Sequence, residues 1–168
     1  ERGSVAECGR DFAGWHEDVQ ALIASIEAPF KWGMVRRPPL ERWTSGAATL
    51  LGDACHAMFP FLAQGAVMAL EDGLVVGRAL AGCKGDDATA LMAYEQSRKM
   101  RTYRVVEGSA QNVARFHNPK LADPVEASRY IEREWASQRV SERYDWIFDY
   151  DAASAPLHRS GVPQVSTA

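Results

Sequence analysis

Apolar residues recur at steps of three and four over residues 12–26, where Phe12, Trp15, Val19, Leu22, Ile23 and Ile26 share one face. That is the period of an amphipathic helix, which Pro29 stops. Residues 30–37 alternate Phe30, Trp32 and Met34 with smaller or polar neighbours and predict a strand, ended by Pro38 and Pro39. Residues 46–53, GAATLLGD, are apolar without alternation, the pattern of a short strand covered on both faces in an α/β sheet. A turn over 60–65 leads into a helix from Gly65 to about Leu80, on which only Glu71, Asp72 and Arg78 are charged. Gly65, Ala69, Gly73, Gly77 and Ala81 recur every four residues along it. An internal glycine costs a helix ~1 kcal/mol relative to alanine, so this small-residue face is expected to pack closely on a sheet, another helix or a ligand.

Beyond a loop, a long helix is predicted over 88–116, N-capped by Asp87 and softened at Gly108. A third helical pattern covers 125–148 and carries Trp135, Tyr144, Trp146 and Phe148, an aromatic cluster suited to core packing or, in a homodimer, a subunit contact. From Asp151 the chain is Ser, Pro, Ala and Gly with little to bury and reads as a flexible tail over 151–168. The expected organisation is therefore 1–46 (helix plus strand), 47–82 (strand, loop and helix), 83–150 (helical) and 151–168 (tail).

The 168 residues are 46% hydrophobic with a net charge of −3 and a pI near 5.8, which is ordinary globular composition. No basic field favours nucleic acid or an anionic membrane, and no apolar run approaches the about 18 residues of a membrane span. A cytoplasmic protein is expected. Cys8, Cys55 and Cys83 are too dispersed for a metal clip or a disulfide framework and read as reduced core residues. No metal site is expected, since Glu71 and Asp72 point apart on a helix and no His or Cys supports them. The cluster Arg98, Lys99, Arg101 and Arg104 reads as a solvated, salt-bridged helix face. His16, His117 and His158 are scattered and receive no role.

Chemistry concentrates in residues 52–73. A buried strand ending in Gly52-Asp53, then a turn, then a helix start is where open α/β folds receive ligands. Glycine lets backbone approach a ligand, aspartate accepts a hydroxyl's hydrogen bond, and helix-start amides favour negative charge.

The string GDACHAMFPFLAQGAVMALEDG resembles the C-terminal flavin motif of single-component FAD-dependent aromatic hydroxylases, the group that includes salicylate hydroxylase, 3-hydroxybenzoate 6-hydroxylase and 6-hydroxynicotinate 3-monooxygenase. Gly52, Asp53, Ala54, His56, Pro60, Gln64, Gly65, Ala69, Glu71 and Asp72 fall on the family pattern. YEQSRKMR over 94–101 is similar to the Y-E-x-x-R-x-x-R run on that family's next helix, and FHNP and RYDWIFDYD resemble salicylate-hydroxylase-like members. The resemblance implies an α/β, Rossmann-type FAD-binding fold in a longer parent enzyme, with this portion mostly α-helical with a few strands. It implies FAD held by Gly52, Asp53, Pro60, Gln64, Gly65 and Ala66, with Asp53 on a ribityl hydroxyl and the Gly65 and Ala66 amides at the flavin N1–C2 edge. NADH or NADPH, O2 and a small aromatic acid or phenol would be the other reactants. His56 and Gln64 are the weak candidates for catalysis, and Phe59 and Phe61 for substrate proximity.

Two departures stand out. Ala63 replaces the first glycine of the family's G-Q-G, which would be strained at positive φ. The sequence also has no G-x-G-x-x-G after a first strand and no acidic ribose partner following one. With a first residue Glu1, it is expected to be a C-terminal portion whose partner is the N-terminal portion of the same enzyme. The alternative expectation is a non-catalytic helical interaction module derived from that family.

Overall fold

In the computed structural model, which describes residues 1–158, the chain divides into two units, Glu1–Met34 and Val35 onward. In the first unit, α1 (Val5–Asp11) starts at Ser4, whose hydroxyl accepts the Glu7 amide, and α2 (Glu17–Ala24) starts at His16, whose Nδ1 accepts the Asp18 amide. The periodic stretch 12–26 is thus helical only from Glu17, because Phe12 closes α1 and Gly14 turns at φ 83°. The expected strand over 30–37 does not form. Among the described residues its one β-bridge runs from Phe30 to Arg2, flanked by Gly3 N–H to the Pro29 carbonyl (2.8 Å) and Lys31 N–H to the Glu1 carbonyl (2.9 Å). Trp32 is 83% exposed. A strand pattern with no neighbouring strand has no partner for its alternate amides, so the ladder stops after one rung.

The second unit begins with a two-stranded hairpin, β1 (Thr44–Ser45) antiparallel to β2 (Ala48–Thr49), in register Thr44 to Thr49. The segment read as a strand covered on both faces therefore pairs only over two residues, and Leu50 and Leu51 remain more than a third exposed. After the short α3 (Asp53–His56) and a 3-10 turn (Pro60–Leu62), α4 (Gly65–Gly82) and α5 (Asp87–Phe116) fold back on each other. The Asp86 side chain, not Asp87, caps α5, accepting the Thr89 amide at 3.0 Å, and α5 runs unbroken through Gly108. The pattern over 125–148 is two helices, α6 (Pro124–Glu134), capped by Asp123, and α7 (Ser137–Phe148), because the chain leaves helical geometry at Trp135 and Ala136. The described residues are thus mostly α-helical with two short strands.

The core collects Trp43, Cys55, Val75, Ala79, Ala90, Tyr94 and Ala152. On α4 the buried stripe is Met68, Asp72, Val75 and Ala79, at helical spacing. The small-residue face is not this stripe. A Cβ added at Gly65, Gly73 or Gly77 would meet nothing within 4 Å, and Leu70 beside them is 75% exposed. The close packing expected of those glycines is thus not supplied by the described residues.

Residues 151–158 are tied down. Arg78 donates to the Ala152 carbonyl (2.7 Å), Ala152 is buried, and the His158 amide donates to Ser97 Oγ at 2.9 Å. The expected tail is corrected to that extent, and its remainder, 159–168, lies outside the described residues. All three cysteines are free, and only Cys55 is buried. None of the described helices is long and apolar enough to cross a membrane.

Candidate cofactor site

Gly52 turns the chain at the end of the hairpin with φ 61° and ψ −139°, a region essentially restricted to glycine, and its missing Cβ would lie 3.3 Å from Ala69 Cβ. The turn places Asp53 at the start of α3, exposed and without a hydrogen-bond or ion-pair partner among the described residues. Gly52, the residue before it, lies against Ala69 in the second turn of α4. Gly65, Ala66 and Val67 open α4 with no side-chain cap and no acidic residue in the first turn. Their amides carry the partial positive charge of the helix end.

The loop between these two features is held from behind by α5. Ser109 Oγ donates to the Phe59 carbonyl (2.5 Å) and Asn112 Nδ2 to the Phe61 carbonyl (2.9 Å). Leu62 occupies the notch left by Gly108, where a Cβ would come within 3.1 Å of Leu62 Cδ1. Asn112 Oδ1 in turn accepts from Arg115 (2.7 Å) and Tyr144 (3.2 Å). Pro60 is exposed, Gln64 is buried, and Phe59 and Phe61 are half-buried, with Phe61 also against Phe116 at 5.8 Å between centroids.

Ala63 adopts φ 52° and ψ 30°, so the strain expected there if the family glycine's geometry were kept is present. Left-handed backbone costs a residue with a Cβ about 1–2 kcal/mol, and glycine's greater unfolded freedom takes back part of that gain. Ala63→Gly is expected to stabilise the chain by about 0.5–1 kcal/mol, read as a higher midpoint of thermal unfolding.

Behind Gly52 lies a buried charge cluster that sequence reasoning missed. Asp72 Oδ2 accepts the Gly52 amide (3.1 Å) and lies 2.7 Å from His56 Nε2, while Oδ1 accepts Arg98 Nε at 2.7 Å. Arg98 Nη1 stands 2.7 Å from Glu71 Oε2, and Arg101 grips Glu71 with two bonds of 2.7 Å. The Arg101 guanidinium also lies 4.0 Å from the Tyr150 ring centroid. Asp72 and Arg98 are fully buried, so Arg98 and Arg101, read as part of a solvated face, instead form an interior clamp between α4 and α5, while Arg104 is exposed as expected. Arg104 lies 3.8 Å from the Trp146 ring centroid. Lys99 also keeps to the expected character, pairing with Glu95 while reaching the Glu41 carbonyl.

Burial alone would raise the Asp72 carboxyl; hydrogen bonds from His56 and Arg98, together with the Arg98 charge, hold it below the ordinary carboxylate range instead. The Cys55 thiol, raised by burial and by Asp72, is pushed up to about 12. Cys55, His56 and Asp72 do converge within 4.8 Å, contrary to the expectation that no His or Cys stands near Asp72. The Asp72 carboxylate in this group is already committed to Arg98 and the Gly52 amide. The signal was available in principle: Arg98 and Arg101 fall one helical turn apart, as a clamp on the adjacent Glu71 and Asp72 requires.

A Gly-Asp turn beside an uncapped helix start, with a pinned loop between them, is the arrangement by which α/β folds hold nucleotide cofactors. The family described as FAD binding domain matches residues 15–109, more than half of the chain, and the chain belongs to that family. It is 38% identical over 156 residues to 6-hydroxynicotinate 3-monooxygenase of Bordetella bronchiseptica, a match covering 92% of this chain and 34% of that relative. In structure it is similar to a salicylate hydroxylase solved as a substrate complex (TM-score 0.69, 27% identity, 94% of this chain and 39% of the other). It is also similar to Klebsiella pneumoniae HpxO complexed with FAD and uric acid (TM-score 0.68, 29% identity, 86% and 37%). The chain spans just over a third of the length of the curated relatives it matches.

Proposed function

We propose that this chain supplies the flavin-facing C-terminal part of a cytoplasmic FAD-dependent monooxygenase that hydroxylates a small aromatic acid or phenol with NADH or NADPH and O2. The observation that carries the reading is the pairing of an unengaged Asp53 carboxylate with the uncapped start of α4 across a loop fastened at Phe59 and Phe61. The donor set fits a flavin: Asp53 accepts from a ribityl hydroxyl, and the Gly65 and Ala66 amides favour negative charge at the ring's N1–C2 edge. Gly52 gives the approach its clearance, and Pro60 and Gln64 border the ring. FAD, when bound, supplies hydride acceptance and oxygen activation, and the protein positions and shields it.

In this reading the open face of α4, with Gly73, Gly77 and Leu70, is covered by the N-terminal portion of the enzyme, which also grips the ADP half of the cofactor. Phe59 and Phe61 border the aromatic substrate. His56 holds the Asp72 carboxylate through Nε2, 2.7 Å away.

The test is Asp53→Ala in the full-length enzyme. Loss of one hydrogen bond to a ribityl hydroxyl is expected to weaken FAD about tenfold while leaving the unfolding midpoint of the apoprotein unchanged. Flavin fluorescence titration and NAD(P)H oxidation measure it. Unchanged FAD affinity in the variant, or a wild-type protein that purifies without flavin and binds none, sinks the reading.

A further inference from the structure

Phe61 is fixed at both its backbone and its ring by one closed chain of contacts. Its carbonyl accepts Asn112 Nδ2 at 2.9 Å, and Asn112 Oδ1 accepts the Tyr144 hydroxyl at 3.2 Å. Its ring centroid lies 5.8 Å from that of Phe116, which stacks on Trp135 at 6.0 Å, and Trp135 stacks on Tyr144 at 6.5 Å. The circuit runs out to α7 by aromatic contact and returns to the same residue through hydrogen bonds.

Asn112 is the joint of this circuit, and its amide can face only one way. It is 1% exposed. Arg115 Nη1, 2.7 Å from Oδ1, can only donate, so the amide oxygen must face Arg115 and the amide NH2 must face the Phe61 carbonyl, which can only accept. A carboxylate of the same shape would satisfy Arg115 and Tyr144 and turn an oxygen on the carbonyl. The turn that Phe61 belongs to moves as a unit, because the Pro60 carbonyl accepts the Ala63 amide at 3.0 Å and Leu62 sits in the Gly108 notch. Helix α4 is fixed separately, by Asp72 on Arg98. A shift at Phe61 is therefore taken up by the peptides between Leu62 and Gly65, the last of which carries the first amide of α4.

We infer that Asn112 is a positioning residue for the flavin: oriented by Arg115 and by Tyr144 of α7, it sets the Phe61 carbonyl and thereby the aim of the Gly65 amide. The inference rests on the flavin reading above and adds that α7 acts on the cofactor through this side chain. Amides aimed at the ring's N1–C2 edge favour the reduced, more negative flavin over the oxidised one. Misalignment is thus read as a lower reduction potential, which a purely structural role would not move.

The experiment is a reductive titration of the FAD-loaded full-length enzyme against a dye of known potential, with Asn112→Asp and Tyr144→Phe beside the wild type. In Asn112→Asp the preference for reduced over oxidised FAD should fall about tenfold, which is about 30 mV in a two-electron midpoint. Tyr144→Phe keeps the ring stack and removes the bond to Oδ1, and a fall of about threefold, or about 14 mV, is expected. Gly46→Ala, in the β1–β2 hairpin at φ 58°, should lower the unfolding midpoint and leave the potential where it is, separating position from stability. If Asn112→Asp does not fold, Tyr144→Phe decides. Variants that hold FAD at the wild-type potential, or a shift in Gly46→Ala as large as theirs, overturn the assignment and leave the flavin reading standing. A wild-type enzyme that binds no flavin overturns both.

Discussion

Arg98→Ala should destabilise the chain by about 3–5 kcal/mol, as removing one partner of a fully buried ion pair does. Nothing else can take its place beside Asp72 Oδ1, since His56 and the Gly52 amide occupy Oδ2 and Arg101 is committed to Glu71. A domain of this size is stable by about 5–15 kcal/mol in all, so the variant should unfold at markedly lower urea concentration. The pH dependence separates this cause from lost packing. In the wild-type chain the Asp72 carboxyl sits below its unfolded value, so its contribution is fully present above about pH 4 and is lost as pH falls through the folded-state value. In the variant burial dominates and the sign reverses: the carboxyl rises above its unfolded value and its ionisation destabilises the fold as pH rises. The gap between the two proteins should therefore be widest at neutral pH and narrow below about pH 4. Adding Asp72→Asn to Arg98→Ala should cost less than the sum of the separate changes, because the second change no longer strands a charge. A pH-independent gap, or strict additivity, would show that Arg98 acts by filling space.

This clamp also shows where reading the sequence succeeds and where it fails. The helices that bear the site, α4 and α5, were visible from periodicity, and Gly52, Asp53 and the turn over 60–65 from the motif, because local pattern specifies them. Ser109, Asn112 and Arg98 were not visible as site residues. Each lies on α5 some 26 to 51 positions from the group it holds, and a polar residue on a buried stripe looks in sequence like one on a wet face. The expected strand over 30–37 and the strand covered on both faces at 46–53 failed for a related reason. Alternation and apolarity describe how a segment would pack, and the described chain supplies only one bridge to the first and one short partner to the second. The break at Trp135 and Ala136 was hidden because neither residue is a helix breaker by propensity.

Gly52→Ala tests the joint between the clamp and the proposed flavin face. Backbone at φ 61° and ψ −139° costs a residue with a Cβ about 1–3 kcal/mol, and the new methyl must also push against Ala69 Cβ at 3.3 Å. A total near 3 kcal/mol is expected, measured by chemical unfolding. Adding Ala69→Gly removes the methyl contact and leaves the backbone strain, so it should recover only a minor part. Gly46→Ala, at φ 58° but with open space around the missing Cβ, should cost only about 1 kcal/mol. If the strained turn relaxes toward ordinary dihedrals, the Gly52 amide leaves Asp72 and the direction in which the chain enters Asp53 changes. In the full-length enzyme FAD should then be lost at denaturant concentrations where the variant's helices are still folded. Coincident loss of flavin and helix would mean that the turn serves stability alone and that the cofactor is held elsewhere.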